Sequence, residues 1–591
     1  MDAKQNDNNK LGELITSASQ KVMQNTIKTA PETISDNIEM AIEYSTLFAE
    51  IASNKESVAK IQTLFADYFR KQQDLWRSMM ERTNGNPSAP IIAPAPDDKR
   101  FKATEWNDIP YFDFMKQSYL LVSEALNNIV SSADIDERAK KKLAFYTRQY
   151  IDAISPANFL ATNPEALKLA QETKGQSITD GVKNFLEDVL AGKITQTDTS
   201  AFELGKNLAV TPGSVIYQND LIQLIQYKPS TPKVYETPVL VLPPWINKFY
   251  ILDLKPENSF VKHLVDQGYT TYLISWRNPT TPDLGRFGFE EYVDEAALKA
   301  AEVIREVSKA KKIHAVGYCL GGTLLSIALS VAYSRKDVPF CSATFMSSMV
   351  DFSDIGPMGD LIDEELIKKL EEGELKKENM LRGPVLGNAF NLLRANDLIW
   401  NYVANSYLKG KKPAPFDILY WNGDSTNLPA RMYGFYLRQM LWENKLSRKN
   451  ALRICDTPID VAKIEIPAFV VGTNEDHISP PQTAFTTTEL VSGPVEYVLG
   501  GSGHVMGIVN PPAKKKYGYH INGELGKGFE QWKQTAKQQE GSWWTYWYEW
   551  LKEKSGKEIA APAKPGSTKH KVIESAPGSY VKVKCIMNNQ K

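Results

Sequence analysis

Residues 317–321 read Gly-Tyr-Cys-Leu-Gly, between an apolar stretch with strand character, 313–318, and one with helix character, 321–333. A nucleophile on so sharp a strand-to-helix turn needs glycine two residues to either side, because side chains there would collide. Cys319 would then stand at a helix N-terminus, where the dipole favours a thiolate. The backbone N–H of Leu320 would point at a developing oxyanion. The ordinary alternative for such a cysteine is a buried structural thiol. The strand–turn–helix setting argues for the nucleophile.

A nucleophile of this kind needs an acid at the end of a later strand and a histidine after the last one. Both stand in that order. The run 468–476, Ala-Phe-Val-Val-Gly-Thr-Asn-Glu-Asp, is a strand leading into Asp476, and the strand and glycine-rich loop of 495–503 lead into His504. Two neighbours compete: Glu475 with Asp476, and His477 with His504. Adjacent residues do not easily form an acid–base hydrogen bond, so Asp476 and His504 are preferred. Of the other histidines, His263 and His314 precede the nucleophile, and His520 and His570 lie beyond the expected position. A second oxyanion donor belongs on the loop after an early strand. There the sequence has Pro-Pro-Trp-Ile-Asn-Lys at 243–248, and the backbone N–H of Ile246 is the candidate.

The elements that must hold these residues follow from periodicity. Strands are expected at 239–242, 270–276, 313–318, 343–349, 468–471 and 495–499, with helices at 290–308 and 321–333. Strand alternating with helix implies a mostly parallel sheet flanked by helices, and the order Cys, Asp, His matches the α/β-hydrolase fold. The uncharged run 314–334 is long enough to span a bilayer, but Gly317, Gly321 and Gly322 divide it into a strand and a helix. The stretch 351–465 breaks the rhythm and is rich in aromatics, as expected of a helical cap insertion; a peripheral helical layer is the alternative. Residues 1–200 form an α-rich N-terminal domain. It carries one apolar face at Ile61, Leu64, Phe65, Tyr68 and Phe69 and a proline-rich linker near 84–98. Residues 201–591 form the catalytic domain. Trp543, Trp547 and Trp550 share a helix face, expected to pack in the core, and 560–570 reads as a mobile linker.

The bulk numbers fit an ordinary globular enzyme: 591 residues, 42% hydrophobic, 24% charged and a formal net charge of −1. That charge argues against nucleic acid as a partner. The four cysteines show no CxxC pair, so neither a zinc site nor a disulfide framework is expected. Together with a polar N-terminus lacking a signal-peptide core, this points to a reducing compartment.

Several motifs together resemble the polyhydroxyalkanoate synthases. They are Gly-Tyr-Cys-Leu-Gly-Gly at 317–322, Pro-Pro-Trp-Ile-Asn-Lys at 243–248, Ser-Trp-Arg-Asn-Pro at 275–279 and Tyr-Trp-Asn-Gly-Asp at 420–424. Glu-Asp-His-Ile at 475–478, Gly-Ser-Gly-His at 501–504 and Gly-Ser-Trp-Trp at 541–544 complete the set. The likeness runs from about residue 100 onward, and the length and the N-terminal helical region look like the class I enzymes. Trp245 stands where other members often have smaller residues. The resemblance implies polymerisation of (R)-3-hydroxyacyl-CoA, of short chain such as 3-hydroxybutyryl-CoA, into polyester with release of CoA. Cys319 would carry the growing chain as a thioester, and His504 would be the general base. Asp476 would either orient His504 or help activate the 3-hydroxyl. The resemblance further implies a homodimer at the surface of polyester granules in the cytoplasm, granule-associated proteins as partners, no transmembrane segment, no metal and no organic cofactor. The rival readings are a cysteine-nucleophile acyl-CoA thioesterase and a granule-associated structural protein.

Overall fold

A computed structural model describes residues 44–585 except 48, 50, 52 and 87. The chain divides into two compact units: residues 1–198 with 389–415, and residues 199–388 with 416–591. The stretch 351–465 is thus shared between them, its middle belonging with the N-terminal unit.

The N-terminal unit is helical. Its long helices are α1 (Lys55–Thr83), α2 (Pro110–Ser132), α3 (Glu137–Ala153), α4 (Pro164–Glu172) and α5 (Gln176–Ala191). Asn54, Asp136 and Asn163 cap α1, α3 and α4 with side-chain oxygens, which satisfies first-turn N–H groups that have no partner within the helix. The buried positions of α1 include Ser57, Leu75 and Ser78, while Phe65 and Phe69 are exposed. The seam that packs is therefore narrower than the apolar stripe expected from the sequence. The proline-rich connection after α1 is held along α2, where the N–H groups of Ile91 and Ile92 donate to Gln117 Oε1 at 2.7 and 3.2 Å.

The second unit is built on an eleven-stranded sheet. In chain order the first part runs β1 (Gly213–Gln218), β2 (Ile222–Tyr227), β3 (Val239–Leu242), α6 (Phe260–Asp266), β4 (Thr271–Trp276) and α7 (Lys299–Ser308). Next come β5 (Ile313–Tyr318), α8 (Leu320–Ser334), β6 (Phe340–Met346), α9 (Glu364–Glu372), β7 (Ala468–Thr473) and β8 (Val495–Gly500). The chain closes with β9 (Tyr519–Ile521), β10 (Lys537–Gln539), α10 (Trp543–Lys552) and β11 (Glu574–Ser575). Spatial order is β10-β9-β8-β7-β6-β5-β3-β4-β2-β1-β11. The six central strands, β8 through β4, pair in parallel, and the strands at both edges are antiparallel. This is the α/β-hydrolase architecture expected from the sequence.

Parallel strands buried on both faces read as continuous apolar runs, and β3, β4, β5 and β7 are buried throughout. Alternate residues feed two cores. Leu240 and Leu242 face the α7 and α8 side, whereas Val239 and Val241 face α6 and α10. Trp543, Trp544 and Trp547 of α10 are fully enclosed in the second core, and Trp550 is half-buried against Phe469. Residues 560–570, read as a linker, are tied down. The N–H of Gly566 donates to Gln226 Oε1 at 2.7 Å, and His570 meets Glu306 at 2.5 Å. Among the described residues, no helix is long and apolar enough to cross a membrane.

Candidate active site

In an open parallel sheet, a site forms outside the carboxyl ends of the strands. Cys319 follows β5, Asp476 follows β7 and His504 follows β8. Cys319 holds the turn itself, at φ 53° and ψ −124°, a strained conformation for a residue with a Cβ, costing about 1–3 kcal/mol. Its N–H donates to Met346 O at 2.9 Å, tying the turn to β6. The glycines around it are sterically required. A Cβ on Gly317 would lie 2.4 Å from Gly322 Cα, and one on Gly321 would lie 1.9 Å from Leu242 O. The second contact brings the end of β3, and hence the 243–248 loop, beside the first turn of α8. Leu320 is the first residue of that helix, so its N–H has no partner within it.

His504 Nδ1 donates to Asp476 Oδ2 at 2.7 Å. The other Asp476 oxygen accepts the backbone N–H groups of Ile478 (2.9 Å) and Ser479 (2.8 Å). The Asp476 side chain is wholly enclosed. Burial works against its charge, but His504 and these backbone donors prevail and hold its pKa below the usual carboxylate range. Burial likewise works against protonation of His504. The charges of Asp476 and Cys319, with hydrogen bonds to both, outweigh it and set the imidazole pKa well above its ordinary value. With Nδ1 engaged by Asp476, Nε2 is the nitrogen left for Cys319.

The structure therefore brings Cys319, Asp476 and His504 together. Glu475 is exposed, with its N–H on Ser502 O at 2.9 Å. The backbone of His477 packs under the 354–356 turn, where a Cβ on Gly356 would lie 2.6 Å from His477 O. Ile246 is half-buried on the loop after β3.

Other residues around the three carry no motif signal. The ring of Tyr318 stacks on His504, centroids 5.4 Å apart, and its hydroxyl donates to His504 O at 3.1 Å. Tyr436, buried in the insertion against Phe352, lies close enough to Cys319 for the sulfur's charge to add to the burial that raises its pKa. Trp543 and Trp544 donate their indole N–H groups to Gly507 O and Ile508 O, each at 2.9 Å. They thus pin the loop that carries His504. The start of the insertion is tied to the segment that follows Asp476. Gln482 Nε2 donates to Asp354 Oδ2 (2.9 Å), and Thr483 Oγ1 donates to Asp354 O (2.7 Å). Among the described residues, no cluster of three or more histidine, cysteine or carboxylate side chains could hold a metal ion.

Comparison with known proteins agrees with this architecture. Residues 97–264 match the model of the poly-beta-hydroxybutyrate polymerase (PhaC) N-terminus, and residues 237–511 match that of the alpha/beta hydrolase fold. The poly(3-hydroxyalkanoate) polymerase subunit PhaC of Cupriavidus necator is 42% identical over 539 residues, covering 90% of each chain. The poly(3-hydroxyalkanoate) polymerase of Methylorubrum extorquens is 43% identical over 516 residues, covering 86% of this chain and 85% of the other. Poly(3-hydroxyalkanoate) polymerase 1 of Ectopseudomonas oleovorans is 34% identical, covering 83% and 87%. The chain belongs to the poly(3-hydroxyalkanoate) polymerase family, acyltransferases built on the α/β-hydrolase fold.

Proposed function

We propose that this acyltransferase polymerises (R)-3-hydroxyacyl groups of short chain, 3-hydroxybutyryl-CoA above all, through a thioester on Cys319. The observation that carries the reading is the assembly of Cys319, His504 and Asp476 at the carboxyl ends of three parallel strands of one sheet.

In the first half-reaction, His504 Nε2 takes the Cys319 proton and the sulfur attacks the thioester carbonyl. The C–S bond to CoA breaks, and the leaving CoA sulfur takes the proton back. In the second, the 3-hydroxyl of another acyl group gives its proton to His504 and attacks the Cys319 thioester. An ester C–O bond forms, the bond to Cys319 breaks and the cysteine recovers the proton. The oxyanion of each tetrahedral intermediate is met by the N–H groups of Leu320 and Ile246. Asp476 orients His504: one of its oxygens is taken by the imidazole and the other by two backbone donors. A cysteine suits this chain chemistry, because transfer between two thioesters is nearly isoenergetic and the bound acyl group stays activated. Exclusion of water by the insertion separates polymerisation from hydrolysis. We further propose that it acts as a homodimer at the surface of cytoplasmic polyester granules, beside granule-associated proteins.

The test is incubation with (R)-3-hydroxybutyryl-CoA, following both CoA release and product size. The expected result is CoA release with high-mass polyester, lost by ~10³-fold or more in Cys319→Ala with the far-ultraviolet spectrum unchanged. Free 3-hydroxybutyrate as the sole product, or wild-type turnover in the variant, would refute the reading.

A further inference from the structure

Three motifs that the triad does not use meet in one polar knot. They are the 243–248 loop after β3, Asn278-Pro279 after β4, and residues 420–427 of the insertion; the tail at 583–585 joins them. At the centre is Asp424, buried, with its carboxylate 2.9 Å from the ammonium groups of both Lys248 and Lys584. Lys248 and Asp424 thus form a buried ion pair. Burial lowers the pKa of Lys248, whereas at the half-exposed Lys584 the carboxylate overcomes burial and raises it. Asn278 links the tail to the insertion: its Nδ2 donates to Val583 O at 3.3 Å, and its Oδ1 accepts the N–H of Asn427 at 2.9 Å.

Two residues beyond Asp424, the buried Thr426 donates its hydroxyl to Trp245 O at 2.6 Å. That carbonyl belongs to the same peptide unit as the N–H of Ile246. A peptide unit is planar and trans, so its N–H points opposite to its C=O. A hydrogen bond that fixes the Trp245 carbonyl therefore fixes the direction of the Ile246 N–H as well. The other end of the loop is anchored independently, by Trp421 Nε1 on Lys248 O at 2.6 Å. Rotation of the 245–246 peptide would break the Thr426 bond and turn a carbonyl toward the place where the N–H belongs.

We infer that Thr426 is a positioning residue that sets the second oxyanion donor, and that Asp424 with Lys584 of the tail locks Thr426 in place. The inference rests on the proposed roles of Cys319 and Ile246. An oxyanion donor acts on the transition state rather than on the bound thioester. Its loss should lower the acylation rate constant and leave KM nearly unchanged.

The experiment is rapid-mixing acylation of the full chain by (R)-3-hydroxybutyryl-CoA, read as the burst of CoA. Burst amplitude counts competent Cys319 thiols, and the rate constant reports how well each one reacts. Thr426→Val keeps the shape and loses the bond. It should retain the wild-type amplitude while the rate constant falls by about 10- to 100-fold and KM stays within about twofold. Thr426→Ser should restore the rate. Lys584→Met, at a half-exposed position, should shift the rate constant in the same direction by a smaller factor. A Thr426→Val rate constant equal to wild type, with or without a smaller amplitude, would overturn the inference. A burst persisting in Cys319→Ala would instead overturn the reading on which it rests.

Discussion

His504 lies between Asp476 and Cys319, and their interactions with the imidazole outweigh its burial and raise its pKa. Its raised pKa contributes stability that is complete below the ordinary histidine value of ~6.5 and is lost as pH climbs through the folded-state value. The lowered pKa of Asp476 contributes stability above the ordinary carboxylate value of ~3.9, which is lost as pH falls through its own folded-state value. The pair therefore stabilises the protein most between those limits. Histidine-labelled NMR should place the titration midpoint of His504 above that of an ordinary imidazole. Asp476→Asn and Cys319→Ala should each lower its titration midpoint, Asp476→Asn by more. A His504 that titrates at an ordinary value in the wild type would contradict the charge balance described here. The expectations for Cys319, Asp476 and His504 came from spacing, because each must follow a strand and a strand end is readable as an apolar run. Tyr318 and Thr426 were not legible. A tyrosine inside the elbow has no pattern of its own, and the Thr426 contact joins residues 181 positions apart.

At the scale of elements, the parallel strands were readable because both of their faces are apolar. The β1–β2 pair was not. β2 is fully buried yet carries Gln223 and Gln226, which hide the strand in any hydrophobicity pattern. Gln223 Nε2 is satisfied by Gln218, Glu574 and Ser579, and Gln226 by the backbone of Gly566. The insertion was legible as a break in rhythm, whereas its division between two units was not. Within it, α9 is pinned by ion pairs from Arg438 to Glu364 and Glu371. The 351–356 segment is held by Asn444 and by Gln482 of the short helix that follows Asp476. These contacts are polar and half-exposed, so they can open without unfolding the apolar sheet. We propose that 351–465 is a mobile cap that gates Cys319 and contributes to dimer contacts. Hydrogen exchange there should be faster than in β3–β8 and should slow when a non-hydrolysable CoA thioester analogue binds. Exchange as slow as that of the sheet, and indifferent to the analogue, would show a rigid layer.

Across the whole molecule, the tryptophan-rich helix α10 ties distant parts together. Trp547 donates to Thr344 Oγ1 of β6 at 2.9 Å, while Trp543 and Trp544 hold the loop after His504. Trp543→Phe keeps most of the ring and strands the Gly507 carbonyl in a dry core. It should cost about 1–3 kcal/mol in urea unfolding. A change within about 0.5 kcal/mol, the range of substitutions that touch nothing important, would mean that the indole bond contributes nothing. The same economy of long connections governs how the sheet is finished. Its outer strand β1 is paired on one side by β2, but its other side is covered by β11, with Val215 opposite Glu574. Roughly 360 residues separate those partners, and at a synthesis rate of about 5–20 residues per second the ribosome needs roughly 20 to 70 s to deliver the second after the first. Throughout that interval the edge of β1 presents unpaired N–H and C=O groups to any other strand nearby. The nascent chain must be kept apart from its neighbours during that time, and crowding of many nascent copies is the condition under which this fold is most exposed to mispairing.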